Sequence, residues 1–386
     1  MQIESTAFTK PLPEGVIAPI PPPTPWIGDV LEAAAYAGTG GEFVASGRAE
    51  ASADQFRLEK GLPVVVVLAD GLGLNQLMDK LGHAPTLRSL RSEPVRAQTV
   101  APSTTSAALT TLATGRVPGA TRMVGYSVRH GDGVMNLLQF SPGVSGREWQ
   151  PEPTILERMT ARGVDCAIVT DPRFQDSGLT GAAMRGARFV GAQDLASRFG
   201  RAVGEARRKT PLTYVYWSGI DKVGHGHGPN SHAWSAALED FDMEIRSLIS
   251  SVGDRAQVLL TADHGMVEVG QRVDIASVPI LAEGVELVTG EGRAAHIHAF
   301  PGQSESVEQR WRDYWGDRAW IFNRQQVPQI IGDGPGLSLL GDLLVMPDGD
   351  AVVGDSRTQS PSALFMPGVH GSLTETEMGI PVWRLC

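Results

Sequence analysis

Four apolar runs in this chain each stop on an aspartate. "LPVVVVLAD" ends at Asp70, "VDCAIVTD" at Asp171, "LTYVYWSGID" at Asp221 and "AQVLLTAD" at Asp263. The first carries four consecutive valines with no polar alternation. A strand with one face in water alternates, whereas a strand covered on both faces does not. Buried strands of this kind belong to parallel sheets with helices on either side.

The segments between the runs read as helices. "PTILERMTARG" has a proline near its start and a glycine at its end. "SHAWSAALEDFDMEIRSLISSVG" places Trp234, Leu238, Phe241, Ile245, Leu248 and Val252 on one helical face, with Ser231 as N-cap and Gly253 as stop. The expected fold is α/β, a doubly wound and mainly parallel sheet between helices. In such sheets ligands bind beyond the carboxyl ends of the strands, where these aspartates stand.

Residues 1–60 are Pro-rich and then Ala/Gly-rich, and "APIPPPTPW" reads as an extended arm laid over the surface. The main domain is expected over 61–386. Within it, 270–360 has the texture of a small α+β insertion or cap. "AAHIHAF" reads as a strand, "SVEQRWRDYW" as a helix and "DLLVMPDGDAVVGD" as a hairpin turning at Asp348–Gly349.

The chain has 43 acidic and 33 basic residues, a formal net charge of -10, and no Lys/Arg-rich run. That balance argues against a nucleic-acid duplex as partner. It remains compatible with a small phosphorylated substrate if a bound cation supplies local positive charge. Two cysteines, Cys166 and Cys386, make neither a disulfide scaffold nor a thiolate metal site; Cys166 reads as buried and Cys386 as a mobile end. Without a leader pattern or an apolar run near the roughly 20 residues that span a bilayer, a cytoplasmic protein with no membrane association is expected.

"TADHGM" sets Asp263 beside His264 at a strand end. Alone, that is as consistent with a polar strand end as with a ligand pair. Three further elements change the balance. Asp221 and His225 share the Gly-rich "GIDKVGHGHGP", Asp70 precedes Gly71 in "LADGLG", and His370 lies between glycines in "MPGVHGS". Three aspartates and three histidines on loops at one sheet edge suit divalent metals, with zinc first and manganese or iron as alternatives. Six ligands exceed the needs of one tetrahedral ion and fit two. Two-metal sites serve phosphoryl transfer and hydrolysis. "VAPSTTSAALTTLATG" then offers a nucleophile, since Ser103, Thr104, Thr105 and Ser106 open a helix whose N-terminus favours anions.

In order along the chain, "VVLADGLG", "PSTT…TTLATG", "DKVGHGHGP", "TADHGM" and "VHG" resemble the nucleotide pyrophosphatase/phosphodiesterase branch of the alkaline phosphatase superfamily. The resemblance runs from about residue 62 to the C-terminus. It implies an alkaline-phosphatase-like core, two zinc ions, and cleavage of phosphodiester or pyrophosphate bonds through a phosphothreonine. By motif, it places Asp221, His225 and His370 on one ion. It places Asp70, Asp263, His264 and the nucleophilic hydroxyl on the other. The nucleophile stands nine residues before the Thr of "TG", here Thr114, which gives Thr105; a one-residue slip gives Thr104. An Asn common three residues after the nucleophile is replaced by Ala108, leaving the Ser106 backbone N–H, the Ser106 hydroxyl or Lys222 to hold the phosphate oxygen. Thr121-Arg122 stands where His-Gly is frequent. The substrate could thus be a nucleotide or another phosphorylated small molecule. A phosphomonoesterase or phosphonate hydrolase on the same site is the alternative, followed by a non-catalytic phospho-ligand binder.

The remaining candidates read more plainly. His227 is expected exposed or behind the ligands, His296 and His298 structural on one side of a cap strand, and His83, His130 and His232 on the surface. Asp171, before Pro172, reads as a turn former. Tyr126 and Phe174 read as packing, with a lesser chance of walling a substrate pocket.

Overall fold

The computed structural model describes residues 10–14, 16, 18, 21–22 and 25–386. Its centre is a seven-stranded sheet. We label its strands β1 (Val64–Ala69), β2 (Val95–Gln98), β3 (Cys166–Thr170), β4 (Arg188–Gly191), β5 (Leu212–Trp217), β6 (Gln257–Thr261) and β7 (Gly379–Arg384). The spatial order is β2-β7-β6-β1-β5-β3-β4. β1 runs parallel to both β5 and β6, β3 runs parallel to β5 and β4, and β7 is antiparallel to its neighbours. Every residue of β1, β3 and β6 is buried, as the unbroken apolar runs require.

Register fixes the edge on which the aspartates emerge. Leu68 pairs with Thr261 and Ala69 with Trp217. Asp70 and Asp263 therefore leave the sheet at the same level, and the Asp70 N–H still donates to the Trp217 carbonyl at 2.8 Å.

Helices cover both faces. The helix His232–Val252 packs with Leu195–Arg207 and buries the apolar stripe read from its sequence; the Ser231 side chain accepts from the Trp234 N–H, and Gly253 ends the helix. On the other side α1 (Gly28–Gly38) packs on β1, on β5, and on α2 (Thr105–Thr114). Much of the expected 1–60 arm is thus core. Ten of the eleven residues of α1 are buried, and a second helix follows at Ala49–Gln55. The Ala-rich "VLEAAAYA" has Glu32 as its one charged residue, and that carboxylate accepts from the Ser46 hydroxyl at 2.6 Å, which suits a fully buried helix. Asp29 holds it in place, accepting from the Trp26 indole at 3.1 Å and from Arg48 at 2.7 Å twice. The proline run before it lies mostly outside the described residues.

Residues 271–354 add a smaller layer with its own core of Ile297, Trp311, Trp315 and Val345. Its four-stranded antiparallel sheet has the order Val285–Glu291, Ala294–Ala299, Leu343–Pro347, Ala319–Asn323, and the helix Ser304–Trp315 packs against it. The hairpin expected at Asp348–Gly349 does not form. The turn exists, with Gly349 at φ 56°, but Ala351–Gly354 leaves Leu343–Pro347 to pair in parallel with Gln271–Asp274. The terminal Cys386 is half-buried against the main core, where mobility was expected. No helix among the described residues is long and apolar enough to cross a membrane.

Candidate metal centre and nucleophile

The loop after β1 folds back at once. Gly71 adopts φ 72°, a region open to glycine at little cost, and its N–H donates to Asp263 Oδ1 at 3.1 Å. The loop after β6 is just as close. A Cβ on Gly265 would sit 1.9 Å from the Thr376 carbonyl, so "DHG" has no room for a larger residue. Asp221 lies in the first turn and His225 in the last turn of α3 (Gly219–His227). His370 follows the two-residue strand Gly368–Val369, which pairs antiparallel with Val267–Glu268 and so ties it to "TADHGM".

The three histidines share one arrangement. Nδ1 faces a backbone carbonyl in each: Gly368 at 2.8 Å for His225, Gly265 at 3.1 Å for His264, and Ser103 at 2.9 Å for His370. A ring whose Nδ1–H is held by a carbonyl presents a bare Nε2, the form that ligates metals. Those Nε2 atoms point at carboxylates. His264 Nε2 is 3.6 Å from Asp70 Oδ1 and 3.5 Å from Asp263 Oδ2. His225 Nε2 is 3.4 Å, and His370 Nε2 3.9 Å, from Asp221 Oδ1. Asp70 Oδ1, Asp221 Oδ1 and Asp263 Oδ2 are all buried without a hydrogen-bond partner.

Three buried carboxylates this close carry a large desolvation and repulsion cost unless a cation compensates them. Burial, then the charges of Asp263 and Asp221, push the Asp70 carboxyl well above its ordinary range. Burial likewise raises Asp221. Burial and the neighbouring imidazoles hold His370 well below the ordinary histidine value, hence neutral and ready to ligate. The donor set fits divalent cations.

Two compact groups of ligand atoms result, Asp70/Asp263/His264 and Asp221/His264/His370, with all atoms of a group within 4.8 Å of one another. The first is the set expected from the sequence. In the second, His264 stands where His225 was expected, because its ring stacks on His370 at 3.6 Å between centroids. His225 touches Asp221 from the other side.

Thr105 is the first residue of α2 and is half-buried, with Oγ1 3.2 Å from His264 Nε2. Thr104, the N-cap, is buried and shows no such contact. The Ser106 hydroxyl is turned away, donating to the Gly125 carbonyl at 2.6 Å, which leaves the Ser106 backbone N–H and Lys222 among the three donors considered from the sequence. Its backbone N–H stays in the first turn of α2, where no intrahelical acceptor exists. Lys222 is exposed and lines the cleft beside Asp221.

The cleft holds about 900 Å³, and Tyr126 and Phe174 line it together with Asp70, Asp221, His225 and His370. Phe174 meets Tyr216 edge-on at 6.0 Å. His227, His83, His130 and His232 are exposed; His296 and His298 are buried in the cap. Asp171 accepts from the Arg173 backbone at 3.0 Å and binds its guanidinium, which holds the carboxyl down at about 2. Three contributors escaped the sequence reading. Tyr216 donates to Asp70 Oδ2. The Tyr214 hydroxyl is buried without a partner, and burial, then the charges of Asp263 and Asp70, raise its pKa. Glu291 enters the cleft from the cap. The two tyrosines alternate in "LTYVYW", a signal that they share one face of β5.

A buried ion pair anchors the His370 loop. Arg293 Nη2 donates to Glu377 Oε2 at 2.6 Å and Nη1 to the Ala351 carbonyl at 2.6 Å, while Glu377 Oε1 accepts from the Ser372 N–H at 3.0 Å. Both side chains are fully buried. Arg293→Met is expected to destabilise the protein by about 3–5 kcal/mol, because it strands the Glu377 charge. Chemical denaturation checks this; a loss within experimental error would show that the pair does not anchor the loop.

Carboxylates and imidazoles at the carboxyl edge of a parallel sheet, beside a hydroxyl on a helix N-terminus, are the apparatus of metal-assisted phosphoryl hydrolysis. The model of the type I phosphodiesterase / nucleotide pyrophosphatase family matches residues 64–373, and the chain belongs to that family. Among solved structures, murine ectonucleotide pyrophosphatase / phosphodiesterase 5 is similar, with TM-score 0.66 and 16% identity over 83% of this chain and 87% of that one. Its inactive Thr-to-Ala variant in complex with AMP matches equally. Phosphonoacetate hydrolase from Sinorhizobium meliloti 1021, in complex with phosphonoformate, matches with TM-score 0.66 and 19% identity over 84% and 90%. These likenesses show the alkaline-phosphatase-like fold. Among curated proteins, the phosphopentomutase of Shewanella loihica is 27% identical over 161 residues. That match spans 40% of this chain and 38% of the mutase.

Proposed function

We propose that this protein hydrolyses phosphodiester or pyrophosphate bonds with Thr105 as nucleophile and a phosphothreonine intermediate. The observation that carries the reading is the placement of Thr105 Oγ1 against His264, with orphaned oxygens of Asp70 and Asp263 beside it. Asp70, Asp263 and His264 would hold one divalent ion, and Asp221, His225 and His370 a second. His264 has one free Nε2 and serves one ion, which leaves the second place beside Asp221 to His225. Zinc suits imidazole and carboxylate donors, as do manganese and iron. Such ions lower the pKa of a nearby hydroxyl and neutralise charge on phosphoryl oxygens.

The residues of the chain do the rest. Thr105 Oγ1 bonds to phosphorus as the bond from phosphorus to the leaving oxygen breaks, and water then cleaves the phosphothreonine. The first-turn N–H groups of α2 and Lys222 face the phosphoryl oxygens. The aromatic walls of Tyr126 and Phe174 leave room for a leaving group larger than phosphate, a nucleotide among the candidates.

The test is a substrate panel on protein supplied with zinc, manganese or iron. It contains a p-nitrophenyl nucleotide diester, p-nitrophenyl phosphate and a phosphonate. The diester is expected to have the highest kcat/KM. A preference for the monoester or phosphonate would move the reading to those substrates, and no turnover of any would favour a phospho-ligand binder.

A further inference from the structure

Each aspartate of the first ligand group has one oxygen held and one left over. Asp263 Oδ1 accepts the Gly71 and His264 N–H groups at 3.1 Å each, and its Oδ2 is buried with no partner. Asp70 Oδ2 accepts the Tyr216 hydroxyl, and its Oδ1 is buried with no partner. The backbone therefore holds one carboxylate, whereas the other depends on a single side chain.

The sheet puts that hydroxyl in place. Tyr216 pairs with Leu68 across the parallel ladder of β5 and β1. Asp70, two residues past Leu68, returns to the same face, and the long phenol leans along the strand to reach it. Tyr216 is itself fixed. Its carbonyl accepts from Arg198 Nη1 at 2.8 Å, and its ring meets Phe174 edge-on at 6.0 Å. Tyr214 lies on the same face two residues earlier, yet its hydroxyl has no partner. A tyrosine on this face does not find a carboxylate by default; Tyr216 does so by register.

We propose that Tyr216 is a positioning residue for the divalent cation bound by Asp70, Asp263 and His264. This rests on the two-ion reading above. The Tyr216 O–H occupies Asp70 Oδ2 and fixes the plane of the carboxylate. Asp70 Oδ1 is thereby kept toward His264 Nε2, 3.6 Å away. Tyr216 donates to a ligand and does not join the ligand set. Without the O–H the carboxylate is free to turn about its side-chain bonds, and binding must then order it afresh. Hydrogen-bond partners of metal ligands typically carry about 10- to 100-fold in metal affinity.

The test counts zinc ions per chain in zinc-loaded protein equilibrated with chelator buffers of graded free zinc, for wild type and Tyr216→Phe. The phenyl ring keeps the packing on Phe174 and removes only the O–H. Wild type is expected to hold two ions. In Tyr216→Phe one ion is expected to leave at a free zinc concentration about 10- to 100-fold higher, and the other at the wild-type concentration. Turnover of a p-nitrophenyl diester should fall at limiting zinc and regain the wild-type kcat and KM at saturating zinc. A merely structural role would not give that rescue. Thermal melts at saturating zinc should coincide. The proposal is overturned if Tyr216→Phe holds both ions as tightly as wild type or more tightly, or loses both together. It is also overturned if the variant is unfolded at saturating zinc, which would assign the hydroxyl to the fold. A raised KM at saturating zinc would assign the hydroxyl to the substrate and overturn it as well. Wild type that never holds two ions would overturn the two-ion reading, and the proposal with it.

Discussion

Thr105→Ala is expected to lower kcat by about 10³-fold or more, while Thr104→Ala keeps turnover within about tenfold of wild type. The two threonines are adjacent and chemically identical, so the difference lies in where α2 begins. Thr104 is the N-cap, in extended conformation and buried. Thr105 takes the first helical position, half-buried, with its hydroxyl 3.2 Å from His264 Nε2. Removing a nucleophile abolishes the covalent route and leaves only what charge stabilisation and positioning supply. Rapid-quench kinetics should show a burst in wild type, and mass spectrometry should find the trapped phosphate on the peptide containing Thr105. Activity in Thr105→Ala together with its loss in Thr104→Ala would reverse the assignment.

Removing divalent metal is expected to abolish turnover and to destabilise the fold, increasingly so as pH rises. Asp70 and Asp221 are raised by burial above their ordinary values. A carboxyl whose folded pKa exceeds its unfolded pKa adds stability below the unfolded value, and loses that contribution as pH rises through the folded one. Metal-free protein should therefore carry its full cost in neutral to alkaline solution, where these groups must either ionise in a buried site or stay protonated. Bound cations remove that cost. Metal in thousandfold excess over its Kd adds about 4 kcal/mol of stability. Its affinity falls in acid because protons compete for the ligand atoms, which acts in the same direction. Scanning calorimetry of chelated and metal-replete protein should show a Tm gap that widens from acid to alkaline pH. An equal Tm in alkaline solution, or undiminished turnover after chelation, would contradict the metal reading. Fewer than two divalent ions per chain, in protein never exposed to chelator, would contradict the two-ion reading.

What the sequence disclosed and what it withheld divide along range of interaction. Unbroken valine runs announce a buried parallel sheet because each residue type reports its own burial. Asp70 and Asp263 stand at strand ends, and Asp221, expected to end its strand, lies in the first turn of the helix that follows β5, so knowing the strands was enough to gather all three on one edge. The α1 segment was hidden, since "VLEAAAYA" has a single charged residue, Glu32, and no repeating polar stripe to reveal its period, and it lies behind a proline run. The missed hairpin at Asp348–Gly349 has the same kind of cause. The turn is local and was legible, but the partner of Ala351–Gly354 is Gln271–Asp274, some eighty residues earlier.

The candidate site shows the same division at atomic scale. Residue types and loop glycines determined by themselves that three aspartates, three histidines and a threonine-led helix belong together. Only the tertiary structure decided how they share space. The stacking of His264 on His370 puts one imidazole within reach of both carboxylate groups. The Gly125 carbonyl draws the Ser106 hydroxyl away. The cap brings Glu291 to a cleft nearly two hundred residues from Thr105 along the chain. Side-chain chemistry and helix or strand period are properties of a residue and its near neighbours, and a sequence states them directly. Distances between residues far apart in the chain depend on how every intervening element packs, and no short stretch of sequence contains them.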